Sequence, residues 1–195
     1  MNIATGVVFV TADTSGILVQ QHTGNNDFFN RSWQEFKVGF GNASDDYWIG
    51  NERLHQLTKD GKYKLHFDLL ATFNARWYWA EYRYARFSIS SEIGGYALIV
   101  DGYSGNAGDA MTLDGIAAYN LNGVKFTTFD RDNDHYRYNC AIHGAYIGGF
   151  WYRSCGAALV NQNAYFHWQT LPIGPLVRSH SHVALQTSRM TLLPK

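Results

Sequence analysis

Residues 130–155, DRDNDHYRYNCAIHGAYIGGFWYRSC, constrain this chain more than any other stretch. Asp130, Asp132 and Asp134 stand at alternate positions ahead of Cys140, and Cys155 follows a glycine-aromatic run. These are the only two cysteines among 195 residues. A segment of this composition has little regular structure of its own and needs another source of order. Alternate carboxylates fit a Ca²⁺ loop, because a hard cation takes roughly six to eight oxygens and a kinked segment supplies them from carboxylates and carbonyls together. The same pattern also describes a solvated acidic turn. The EF-hand version is excluded: counted from Asp130, the sixth position is His135 and the twelfth Ala141, where that motif needs glycine and glutamate. The cysteines are either a staple closing a 15-residue loop or two reduced core thiols.

The first half of the chain carries clearer periodicity. GILVQQ at 16–21 is β-branched and apolar, as a strand is. SWQEFKVGF at 32–40 opens on a serine cap and meets Gly39, which predicts a short helix. Asn51 is placed to cap a second helix with Leu54 and Leu57 on one face. Tyr63, Leu65, Phe67 and Leu69 alternate, the mark of a half-buried strand. Tyr82, Tyr84 and residues 86–90 repeat that period, and residues 95–100 are strand-like again. After Tyr103, Gly, Asn, Asp and Ser become frequent, and no long periodic segment returns until 183–193. Strands grouped around two short helices predict an α+β fold with a mainly antiparallel sheet. Long loops inside a compact domain are functional or disordered.

Composition narrows the function classes. Sixteen Lys+Arg balance 16 Asp+Glu, so no global field favours nucleic acid or an anionic membrane surface. No run approaches the ~18 apolar residues that span a bilayer, so no membrane insertion is expected. Aromatic residues make up 16% of the chain; Tyr and Trp suit either a core or a sugar-contacting surface. No GxSxG, HExxH or P-loop occurs, and His180 and His182 lack further ligands at a recognisable spacing, so no enzyme is predicted. MNIATGVVFVTA has no basic start and its apolar run is broken, so it does not read as a secretory signal. Asn30 and Asn42 head N-x-S sequons and are glycosylation candidates.

Five motifs in order then point to a family. KFTTFDRDNDHYRYNCA followed by GGFWYRSC resembles the carboxy-terminal signature of the fibrinogen-related domain of fibrinogen, ficolins, tachylectins, angiopoietins and tenascins. DFFNRSWQEFKVGFG is similar to that family's D-F-x-x-x-W-x-x-Y-x-x-GFG, with Phe36 at the tyrosine position. YWIGNERLHQLT, YSGNAGDAM and the final SRMTLLP match three further motifs, so the resemblance covers residues 16–194. It implies a single fibrinogen-related domain over 1–195, with a twisted, mainly antiparallel central sheet from 16–104 and 183–194. A loop-rich calcium and ligand subdomain is expected at 105–182. The family's usual first cysteine pair is missing from residues 1–16, which reads as a piece whose signal, first disulfide and oligomerising stem lie elsewhere or are absent.

The resemblance also implies a site. The family's coordinating aspartates fall on Asp132 and Asp134, and its carbonyl ligands on Tyr136 and Tyr138, with Asp130 left as a turn or outer residue. It implies a Cys140–Cys155 disulfide. In lectin-like members an acetyl group sits beside the calcium loop against aromatic walls, which here are Tyr146, Tyr165 and Trp168. Its oxygen meets backbone N–H groups near a cis bond that falls on Ser154–Cys155; Cys155 and Gly156 supply the donors. Gly156 stands where many members carry histidine, and the downstream L-N-G-x-Y is altered. The expectation is a secreted, calcium-stabilised, lectin-like module that binds acetylated carbohydrates in innate immune recognition, homo-oligomeric through regions outside this chain. The alternative is a protein-binding matrix or signalling module of the tenascin, angiopoietin or fibrinogen kind.

Overall fold

The computed structural model describes residues 16–24, 26–82, 87–113, 117, 119–143, 147–163, 166–168 and 184–195. Strand β1 is Ile17–His22. Helix α1, Trp33–Val38, follows a capping box: the Ser32 side chain accepts from the Glu35 N–H while the Glu35 carboxylate accepts from the Ser32 N–H. Trp33 and Phe36, three residues apart, bury one face of it. Two short strands, β2 (Phe40–Gly41) and β3 (Tyr47–Trp48), lead into α2, Asn51–Thr58. Asn51 does not cap this helix. Gly50 does, with φ of 100°, and the Asn51 side chain accepts from the Trp48 indole N–H at 3.1 Å. A buried indole donor needs an acceptor, and that need outweighs the cap.

The long strands follow. β4, Tyr63–Ala71, buries Leu65, Phe67, Leu69 and Ala71 and turns Lys64, His66, Asp68 and Leu70 to the half-exposed face. Full burial of a side chain such as Phe67 contributes about 1.5–3 kcal/mol. β5 is Trp77–Tyr82, β6 Ser88–Ile89, β7 Leu98–Ile99 and β8 Tyr103–Gly105. The expected strand over 95–100 is thus two residues long, because a 3₁₀ turn at Glu92–Gly94 runs into left-handed Gly95. Tyr84 lies outside the described residues. Beyond them come four two-residue strands, β9 (Phe126–Thr127), β10 (Phe150–Trp151), β11 (Ala158–Leu159) and β12 (His167–Trp168). The chain ends in β13, Leu185–Pro194.

Among the described residues the central sheet has seven strands in the order β2-β3-β1-β13-β4-β5-β8, every pair antiparallel. The last strand inserts between the first and β4, with Met190 opposite Phe67 and Leu192 opposite Leu65. One hydrophobic core joins this sheet to the loops. At its centre Phe126 lies 5.0 Å from both Phe36 and Trp151, ring centre to ring centre. Trp33, Trp48, Trp151 and Trp168 are buried, whereas Trp77 and Trp79 are 56% and 39% exposed on β5. Most of the tryptophan content therefore goes into the core. No helix among the described residues is long and apolar enough to cross a membrane.

Candidate functional site

The acidic loop runs between β9 and β10, which pair Phe126 with Trp151 and Thr127 with Phe150. Side chains fold it in place of a ladder. The Asn133 amide donates to the Phe126 carbonyl at 2.7 Å, and the Asn139 amide to the Thr128 carbonyl at 2.9 Å. Asp134 accepts from the N–H of Tyr136 at 2.8 Å and of Cys140 at 2.7 Å, while Asp132 accepts from the Asp134 N–H at 3.2 Å. The His135 N–H reaches the Arg153 carbonyl at 2.7 Å and ties the loop to the segment before Cys155. Short polar side chains that bond their own backbone are what shape such turns.

This geometry fits a hard cation. Burial, with the neighbouring Asp132 charge adding to it, pushes the Asp134 carboxyl above its usual range despite its two N–H donors. A bound cation would relieve that cost. The carbonyls of Tyr136 and Tyr138 accept no hydrogen bond among the described residues, so two carboxylates and two open carbonyls share one short loop. Among the described residues there is no group of three or more His, Cys, Asp or Glu placed to hold a metal, and a set built half from carbonyls does not need one.

Cys140 and Cys155 form a disulfide with Cα atoms 5.3 Å apart. Cys155 has φ of 65° and Gly156 φ of 98°. For a non-glycine residue that left-handed conformation is held only by strong surrounding constraint, here the crosslink. Neither N–H donates a hydrogen bond among the described residues, so two consecutive donors lie open on a half-buried turn. Among the described residues there is no cis peptide bond, so the Ser154–Cys155 bond is trans, contrary to the cis bond expected there. The left-handed pair makes the turn instead. Ser154 is exposed. Trp168 is no pocket wall: it is fully buried, 4.9 Å from Phe67, with its indole N–H on the Gly108 carbonyl at 3.0 Å. An indole that large serves the core better than a rim. Tyr146, Tyr165, Val183, His180 and His182 lie outside the described residues. Asn30 and Asn42 are both exposed.

Sequence reasoning missed three features. Asp130 accepts from the N–H of Trp33 at 2.8 Å, so the first carboxylate of the loop meets the start of α1, 97 residues away. The Arg131 guanidinium lies 4.2 Å from the centre of the Trp33 ring, a cation–π contact that holds the same junction. Tyr138, 51% exposed, is stacked nearly parallel to His143 at 5.5 Å and has the Arg137 guanidinium 4.6 Å from its ring centre. The spacing of the acids signals a loop but does not say which distant helix it braces.

A central antiparallel sheet with a crosslinked acidic loop beside it defines a globular recognition fold, and the comparisons with known proteins name it. The sequence pattern of the family described as "Fibrinogen beta and gamma chains, C-terminal globular domain" matches residues 7–190. The chain belongs to this family. It is 37% identical over 152 residues to "Fibrinogen-like protein A" of Apostichopus parvimensis, covering 74% of this chain and 50% of that protein. It is 38% identical over 161 residues to "Ficolin-3" of Homo sapiens, covering 79% of this chain and 49% of that protein. The chain thus spans about half the length of these relatives. Among solved structures, lamprey fibrin D-dimer, described as complexed with the peptide Gly-His-Arg-Pro-amide, superimposes with a TM-score of 0.74 at 27% identity. The match covers 91% of this chain and 60% of that one.

Proposed function

We propose that this domain is a secreted, calcium-held recognition module whose ligand sits at the Cys155–Gly156 turn and whose first ligand class is acetylated carbohydrate. The observation that carries the reading is the pair of consecutive left-handed residues whose N–H groups donate to nothing among the described residues. Convergent N–H donors suit one carbonyl oxygen, and an acetyl group offers one such oxygen and a methyl for an apolar wall. Asp132, Asp134 and the carbonyls of Tyr136 and Tyr138 hold the cation. Its role is to fix the loop through Asp134, whose carboxylate grips the Cys140 N–H, and through His135, whose N–H grips Arg153. Calcium touches the protein and not the sugar. The loop-rich residues 105–182 then form a ligand-binding subdomain on the central sheet, with Tyr146 and Tyr165 as walls and with Asn30 and Asn42 as glycan acceptors.

Titration of N-acetylglucosamine and plain glucose, each with and without chelator, tests this reading. Saturable binding of the acetylated sugar at the Cys155–Gly156 turn, weakened by chelation and not matched there by glucose, is the expected result. Equal binding of both sugars at that turn, or none there, overturns it. A protein-binding role is the second reading, favoured by the fibrin neighbour described with a bound peptide and by the open Tyr138–His143 rings on the loop. Peptide capture at the same turn without sugar binding would select it.

A further inference from the structure

We infer that a second site lies on the far side of the 120–122 turn and takes an uncharged sugar ring. A cavity of about 380 Å³ opens there, lined by Asp101, Tyr103, Asp109, Thr112, Asn120 and Asn122 among others. That volume lies within the range of small-ligand sites. Its walls are fixed before any ligand arrives. Asp109 accepts from the Tyr82 hydroxyl at 3.0 Å and from the Thr112 N–H at 2.9 Å, which pins the 109–112 wall to β5. The Asn122 side-chain oxygen accepts from the Val100 N–H at 3.1 Å, and the Gly123 N–H reaches the Leu98 carbonyl at 2.7 Å, which pins the 122 wall to β7. The Tyr103 hydroxyl accepts from the Gly108 N–H at 2.7 Å and holds its ring in the lining.

The groups left over define the ligand. Asn120 and Asn122 each spend the carbonyl oxygen inside the protein, on the N–H of Asn122 and of Val100, which leaves both amide –NH₂ groups as donors. Asp101, exposed at the rim, spends one oxygen on the Gly102 N–H at 2.6 Å and offers the other as an acceptor. Two amide donors, one carboxylate acceptor and an aromatic edge around a polar cavity match a ring whose hydroxyls each donate and accept at once. Asp101 and Asp109 are both acids, and no Lys or Arg lines the cavity, so sialylated or sulfated sugars are disfavoured.

The site is joined to the Cys155 turn without depending on it. The Arg153 guanidinium donates to the Asn120 carbonyl at 2.6 Å, and Leu121 is the nearest neighbour to the open side of Gly156. One glycan chain could therefore meet both sites, with an acetylated unit at the first and a neutral hexose at the second.

The test is heteronuclear NMR on the intact chain with the methyl glycosides of glucose, galactose and mannose. At least one should shift the side-chain amide signals of Asn120 and Asn122, and sialyllactose should not. Asn122→Asp and Asn120→Asp keep the internal acceptor oxygens, remove the donors and should each weaken that hexoside about tenfold or more. Asp101→Asn should relax the exclusion of sialyllactose. If all three glycosides leave both amides unmoved up to about 50 mM, or bind the Asn→Asp variants unchanged, the inference fails. N-acetylglucosamine is followed in the same samples through the backbone amides of Cys155 and Gly156, so failure of the acetyl reading is seen separately.

Discussion

The central sheet and the loops beyond Tyr103 are ordered by different means. In the sheet, β13 pairs with β4 from Leu185 to Pro194 and with β1 from Ser188 to Leu192, and Met190 and Leu192 are buried in the core. Each residue there is fixed by a ladder and by burial, so no single contact decides the outcome. In the loops, strands shrink to two residues and the backbone is held by individual side chains such as Asn133, Asp134 and Asn139. A few polar groups then carry what a ladder carries elsewhere, and each becomes a point of control. Besides the shared core, a buried amide ties the two regions together. The Gln20 side chain on β1 donates to Asn161 and to Ser188, both at 3.0 Å, and Asn161 donates onward to the Gly149 carbonyl at 2.9 Å.

This contrast can be broken in the loop and probed in the sheet. The largest effect should come from Cys140→Ser with Cys155→Ser. Opening a loop of 15 residues releases about 3 kcal/mol of unfolded-state constraint, read as a drop in the denaturant midpoint. Asp134→Ala should follow at about 1–3 kcal/mol, because it strands the Tyr136 and Cys140 N–H groups, and chelator should have no further effect on that variant. Differential scanning calorimetry with and without calcium checks both statements. Ser32→Ala, which deletes the cap of α1, should cost about 1 kcal/mol and leave calcium binding unchanged, as seen in paired chemical melts.

The smallest effect belongs to the sheet face. His66 lies 3.1 Å from Asp68 and 3.0 Å from Glu81, and the Asp68 bond, aided by Glu81, holds the imidazole above its ordinary 6.5 against the opposing effect of burial. A raised folded value favours the protonated form. Its stabilisation is complete below the unfolded value near 6.5 and is lost as pH rises through the folded one. Urea melts across that window should show the loss, and Asp68→Asn should flatten it.

The sheet was the more legible region. The alternation of Leu65, Phe67 and Leu69 and the serine before Trp33 are local signals, and the structure follows both. Asn51 has the local pattern of a cap, whereas its partner, the buried Trp48 indole, is one that no local pattern reports. Trp168 reads as a rim aromatic in one dimension and proves to be core because Phe67, far away in sequence, packs on it. Of the site, the disulfide came from the family motif, whereas the bond from Trp33 to Asp130 joins segments that share no period. Long-range polar contacts leave no trace in spacing.

Hydrogen exchange at single-residue resolution, with and without chelator, tests the central claim most directly. Removing calcium should speed exchange at Tyr136 and Cys140, whose N–H groups bond Asp134, and at His135, bonded to Arg153. Phe67 and Met190, paired in the middle of the sheet, should keep their protection. Equal loss in both regions, or none in the loop, would contradict the account.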